Sequence, residues 1–170
     1  EVRLQGEAVA AVPRRELARR IAFLPQSQGV ETAMTVRELA MTGRYPYFTL
    51  FEPSSAADHR AVDAALALCG IAALADRRFD ELSGGERQRA LLAAAIAQEA
   101  PVLLLDEPFT FLDPAGQETF AAVIRRLRSR RGVTVVTVTH DLARAAADGC
   151  RVIGIRGGGI VLDGPAVEAM

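Results

Sequence analysis

Short apolar runs alternate along the chain with longer stretches whose apolar positions recur every three or four residues. Ile21–Leu24, Val102–Leu105, Val133–Val138 and Val152–Ile155 are compact and rich in leucine or β-branched side chains, the pattern of strands covered on both faces. Ile160–Leu162, just after Gly157–Gly159, is expected to form a hairpin with the last of them. The helical period fits Arg14–Arg20, Val36–Met41, Ala57–Leu68, Glu86–Gln98, Gly116–Arg130 and Leu142–Ala147. This alternation predicts an α/β protein with a mainly parallel sheet. From about Glu31 to Ala100 there are helices and loops but no strand pattern. That segment is expected to be a helical subdomain, set between residues 1–30 and 101–170 of the sheet-bearing core.

Composition narrows the function. The chain has 170 residues, enough for one ordinary domain with a real core, and half of them are apolar, which argues against disorder. The richest apolar stretches, Ala90–Ala97 and Val102–Leu105, are too short to span a membrane and are parted by Gln98 and Glu99. Cys69 and Cys150 lack metal-ligand spacing and are expected to be small hydrophobes. All twenty basic residues are arginine. Without lysine there is no Schiff-base chemistry, and no segment of this chain can be a phosphate-binding G-x-x-x-x-G-K-[ST] loop. The arginines at Arg125–Arg131 end a predicted helix, where cations complement the dipole; with a net charge of −1 they read as a solvated face, not a nucleic-acid surface.

Two segments carry candidate chemistry. In Leu104-Leu105-Asp106-Glu107-Pro108, adjacent carboxylates stand where an apolar strand ends, the edge at which open α/β sheets bind ligands. Asp106 is suited to a hydrated Mg²⁺ and Glu107 to polarising an attacking water, while a pair of solvated turn acids is the plainer alternative. Leu82-Ser83-Gly84-Gly85-Glu86-Arg87-Gln88-Arg89 opens an alanine-rich helix. Ser83 and Glu86 have the spacing of a capping box; the same turn, with two glycines leaving the backbone N–H groups open, also suits an anion such as a nucleotide γ-phosphate.

Taken in order, these segments resemble the nucleotide-binding domain of ATP-binding cassette (ABC) proteins over nearly the whole chain. Leu82–Gln88 resembles the family signature, Val102–Asp106 its Walker B strand with Glu107 in the place of the catalytic glutamate, and Phe23-Leu24-Pro25-Gln26 the Q-loop. Leu112-Asp113 resembles the D-loop and Thr139-His140-Asp141 the H-switch. The resemblance implies a P-loop NTPase (RecA-like) core plus an ABC helical subdomain, using ATP and Mg²⁺. It implies head-to-tail pairing with a second such domain, and each ATP lying between one domain's Walker B and His140 and the partner domain's Ser83, Gly84, Gly85 and Glu86. Asp106 and Gln26 would attend the metal, Glu107 would act as base, His140 would contact the γ-phosphate and Asp113 would couple the two sites. The family's P-loop would precede Glu1, so the chain is expected to be an N-terminally truncated, partial domain that binds ATP weakly by itself.

Thr35-Val36-Arg37-Glu38-Leu39 with Gly43-Arg44-Tyr45-Pro46-Tyr47-Phe48 resembles the ATPases of iron-siderophore, haem and cobalamin importers. The resemblance implies a peripheral subunit at the cytoplasmic face of the membrane that energises a permease, served indirectly by a substrate-binding protein. Tyr45, Tyr47, Phe48 and Phe51 cluster as expected of a docking surface, with a local core as the alternative. A soluble ABC ATPase of DNA repair or translation is the rival reading, and a non-catalytic ABC-like module the third. No sustained heptad arms of the repair type occur.

Overall fold

Arg3–Leu4 (β1) and Glu7–Ala8 (β2) open the chain as an antiparallel hairpin, turned through Gln5 and Gly6, both at positive φ. Helix α1 (Arg14–Arg20) follows Pro13, and the chain passes directly into β3 (Ile21–Leu24). Three helices come next, each started in the same way. Thr35, Ser55 and Ser83 cap α2 (Val36–Thr42), α3 (Ala56–Leu68) and α4 (Gly84–Ala97), with Glu38, Asp58 and Glu86 completing reciprocal capping boxes. Then come β4 (Val102–Asp106), α5 (Pro114–Arg131), β5 (Thr134–Val138), α6 (Leu142–Ala147), β6 (Arg151–Arg156) and β7 (Gly159–Pro165). This is a computed structural model, and it describes residues 1–26, 32–49, 54–110, 112–147 and 149–166.

The chain divides into two units, residues 1–137 and 138–170. In the first, β3 and β4 pair in parallel with Ile21 opposite Val102 and Leu24 opposite Leu105, and β4 is central in the order β3-β4-β5. Ala22, Leu24, Leu103 and Leu105 point into one core with Leu92 and Ile96 of α4 and Phe120 and Leu127 of α5. Val36, Val62, Leu66 and Phe79 extend that core among the helices between β3 and β4. Apart from an isolated bridge between Thr35 and Arg78, the described residues between β3 and β4 form no strand.

Several expectations need correction. The parallel sheet does not include the last two strands, which form a separate antiparallel hairpin in the second unit, and the opening hairpin is likewise its own pair. Nor are the strands covered on both faces. Phe23 alternates with buried Ala22 and Leu24 and is 55% exposed, and Val136 and Val138 are exposed on β5, because among the described residues the helices pack one face. Helix α4 begins two residues before Glu86, and α5 two before Gly116, since a side-chain cap sets each start. Cys69 is buried and Cys150 half-buried.

Candidate functional site

Asp106 is the last residue of β4 and Glu107 the first beyond it, with φ at +45°. A left-handed backbone costs a non-glycine residue of order 1–3 kcal/mol, so it persists only where neighbours hold it. Here Thr110 donates its N–H to the Glu107 carbonyl at 3.3 Å and its hydroxyl to the Glu107 carboxylate at 3.4 Å. The next residue, Pro108, is fully buried, and its carbonyl accepts from Gln88 Nε2 at 3.2 Å. The parallel register puts Gln26, two residues past Leu24, at the same carboxyl edge as Glu107, two past Leu105; Gln26 is exposed there.

The Ser83 turn opens the helix that Gln88 belongs to, little more than one turn before it. Glu86 accepts from the Ser83 N–H at 2.8 Å and from the Ser83 hydroxyl at 2.7 Å, while Ser83 Oγ accepts from the Glu86 N–H at 3.4 Å. These Ser83 bonds, side chain first and then backbone, hold the Glu86 carboxyl below its ordinary range. The helix start is therefore capped by its own carboxylate, and the hydroxyl that an anion would use is engaged. Gly84 is different. A Cβ added there would meet nothing within 4 Å, whereas one on Gly85 would touch Leu112 at 3.8 Å. Packing within the chain thus imposes no need for glycine at position 84, and the residue is exposed.

Asp113, directly after Leu112, caps α5 by accepting from the Gly116 N–H at 2.8 Å. A side chain at Gly116 would come within 2.7 Å of the Asp113 carboxylate, so the glycine makes room for the cap. His140 lies in the second unit, exposed in a turn where Thr139 Oγ1 accepts from the Asp141 N–H and Asp141 in turn accepts from the Arg144 N–H. In the first unit Gln88 hydrogen-bonds α4 to the loop that carries Glu107. Among the described residues no group of three or more His, Cys, Asp or Glu gathers to cage a metal. Two carboxylates at a strand end instead suit a cation carried in with phosphates, keeping its waters.

Gln88 is the contact that motif reading misses: it stands within the quoted signature, but its partner 20 residues on is visible only in the fold. The aromatic cluster divides. Tyr45 is 59% exposed and meets Phe48 edge to face at 5.3 Å, whereas half-buried Tyr47 donates its hydroxyl to the Gln98 carbonyl at 2.9 Å. Tyr47 is therefore not a free docking ring, and Phe51 falls outside the described residues.

The sequence matches the ABC transporter family over residues 1–110. It is 40% identical over 165 residues to the ferric enterobactin transport ATP-binding protein of Escherichia coli K12, covering 97% of this chain and 61% of that one. It is 43% identical over 167 residues to the hemin import ATP-binding protein of Streptomyces coelicolor, covering 98% and 59%. A structure assigned to a metal-chelate type ABC transporter in an inward-facing conformation superposes with a TM-score of 0.81 at 30% identity, covering 88% of this chain and 59% of that one. The chain spans about three fifths of the length of these relatives. With Asp106 at the end of strand β4 and Glu107 just beyond it, a capped glycine turn opening α4 and this match over most of its length, the chain belongs to the ABC transporter family.

Proposed function

We propose that the chain is part of the ATP-hydrolysing subunit of an importer for iron-siderophore, haem or cobalamin-type cargo. The observation that carries this reading is the Asp106–Glu107 pair, with Glu107 held in a left-handed backbone at the carboxyl edge of β4. The named transport roles of relatives at 40% and 43% identity support the choice of cargo. Residues 31–100 are the helical subdomain in this reading, and 1–30 with 101–170 the RecA-like core.

ATP bound with Mg²⁺ would supply the phosphoanhydride to be cleaved and the charge that offsets its oxygens. The residues have distinct tasks. Asp106 holds the cation through water, Gln26 stands at the same strand edge to orient the attacking water, and Glu107 takes its proton. His140 contacts the γ-phosphate. Ser83, Gly84, Gly85 and Glu86 face the phosphates bound by a second copy, with the backbone N–H groups of the turn as donors, and Asp113 couples the two sites. For this, Glu86 has to release the Ser83 hydroxyl. Tyr45 and Phe48, beside a groove of about 510 Å³ lined by Met34, Glu38 and Met41, form the surface for a permease subunit. In this reading the subunit is peripheral, at the cytoplasmic face of the membrane; no described helix is long and apolar enough to cross one.

The test uses the full-length protein with its permease. Mg-ATP hydrolysis by the wild type, and loss of permease co-purification in Tyr45→Ser/Phe48→Ser with hydrolysis and melting unchanged, are expected. Absence of ATP turnover by the wild type would overturn the enzymatic reading. A double variant that melts early instead would return these rings to the core.

A further inference from the structure

Gly43-Arg44-Tyr45-Pro46-Tyr47 carries no step of ATP hydrolysis in that mechanism, yet Arg44, Pro46 and Tyr47 are bonded to distant parts of the chain. Gly43 permits the approach: a Cβ there would lie 2.1 Å from the Ala94 carbonyl oxygen of α4. Arg44, only 4% exposed, donates Nη1 to the Ala97 carbonyl at 2.6 Å, pairs with Glu99 at 3.0 Å, and donates Nε to Asp58 at 2.8 Å. Its guanidinium lies 4.0 Å from the centre of the Tyr47 ring. Tyr47 donates its hydroxyl to the Gln98 carbonyl, and the Pro46 carbonyl accepts from Arg15 at 2.8 Å and Arg19 at 3.0 Å, both on α1.

Four of these partners, Ala94, Ala97, Gln98 and Glu99, lie at one place, the carboxyl end of α4. The last carbonyls of a helix have no partner within it and carry its negative pole; Arg44 and Tyr47 supply both the donors and the cation from another segment. Gln98, the residue that ends α4, then reaches the other way. Its side-chain amide donates to the Ile21 carbonyl at 2.7 Å and to that of Ala18, where α1 runs into β3. One unbroken hydrogen-bonded path therefore leads from the Tyr45–Tyr47 turn through Gln98 to the first residue of β3. The far end of α4 is the Ser83 turn, and β3 leads on to Gln26.

Leverage makes this joint matter. A helix of 14 residues is about 21 Å long, so a tilt of about 10° at its carboxyl end moves the Ser83 turn by roughly 4 Å, far more than a reacting geometry tolerates. A buried ion pair such as Arg44–Asp58 is a poor device for stability alone, since apolar packing does as well; fixed orientation is the better-attested use. Building on the proposed function, we propose that Arg44, Tyr47 and Gln98 are positioning residues. They clamp the carboxyl end of α4 to the start of β3 and so set where Ser83–Glu86 and Gln26 stand during ATP hydrolysis.

The experiment compares Tyr47→Phe and Gln98→Met with wild type in the full-length protein, well below the melting temperature. It measures kcat and KM for ATP, together with amide hydrogen exchange. Removing one such hydrogen bond is expected to lower kcat about fivefold with KM within twofold, and to speed exchange at Gly84–Arg87, on the order of 20 Å away. Unchanged kcat in both variants, with or without a lower melting temperature, would reduce the joint to packing and overturn the proposal. A rise in KM matching the fall in kcat would also overturn it, by making these residues part of the ATP site. If the wild type turns over no ATP, the proposed function fails on its own; the joint then stands if exchange at Gly84–Arg87 rises in the variants and falls if it does not.

Discussion

The Gln88 side chain donates to the Pro108 carbonyl at 3.2 Å, so the helix that Ser83 opens is hydrogen-bonded to the residue directly after Glu107. Both partners are buried, Gln88 to 7% exposure. Gln88→Leu keeps bulk but removes the donor, and is expected to cost about 1–3 kcal/mol in chemical denaturation, the penalty for a stranded buried carbonyl. In the full-length protein ATP turnover should fall while ATP binding persists, because Glu107 loses the tether on its neighbour. Turnover equal to wild type in a folded variant would show that the Glu107 loop is held by other contacts alone.

Position 84 separates a helix cap from a ligand-facing turn. The space around Gly84 is open and its φ is not positive, so Gly84→Ala should change folding stability by no more than about 0.5 kcal/mol. Gly84→Asp adds a carboxylate where a phosphate would approach. It should leave each subunit's ATP binding intact and cut hydrolysis by at least ~10-fold, read by steady-state turnover against nucleotide titration. Full activity of both variants would leave Ser83–Glu86 as a capping box and nothing more.

Much of this was legible from local pattern. The capping spacing of Ser83 and Glu86, the apolar run ending at Asp106-Glu107 and the helical stretch between β3 and β4 are all written within a few residues of themselves. The Arg44 joint is not. Its partners Asp58, Ala97 and Glu99 lie 14, 53 and 55 residues away, so no local pattern could reveal that this arginine is buried or that Tyr47 is spoken for. The hairpin of β1 and β2 leaves no local pattern, because each strand has two residues and Gln5-Gly6 is a weak turn signal. Apolar runs alone also misjudged coverage: Phe23 and Val138 look like core in sequence, and the fold exposes them.

Asp58 gives the fold a defined acid sensitivity. Burial pushes its carboxyl upward, but hydrogen bonds from Ser55 and then Arg44 outweigh that and hold it at about 2, against an ordinary 3.8. Because the folded value is the lower, the stabilisation is present above the unfolded value and disappears as pH falls from about 4 through 2. It amounts to about 2 kcal/mol at neutral pH. Denaturation midpoints between pH 6 and 2 should show this loss in wild type. Asp58→Asn should be less stable at pH 7 and show a shallower loss on acidification; an unchanged acid profile would contradict the role of the Asp58 carboxylate.

The central claim is that Glu107 performs chemistry on bound ATP, and steady-state hydrolysis beside ATP binding in full-length Glu107→Gln tests it most directly. Glutamine preserves the size of the side chain and a hydrogen-bonding carbonyl but cannot take a proton. Hydrolysis is predicted to fall at least ~10²-fold with ATP affinity unchanged and the two-subunit closed form accumulating. Turnover within a few-fold of wild type, or a loss of ATP binding as large as the loss of turnover, would contradict it.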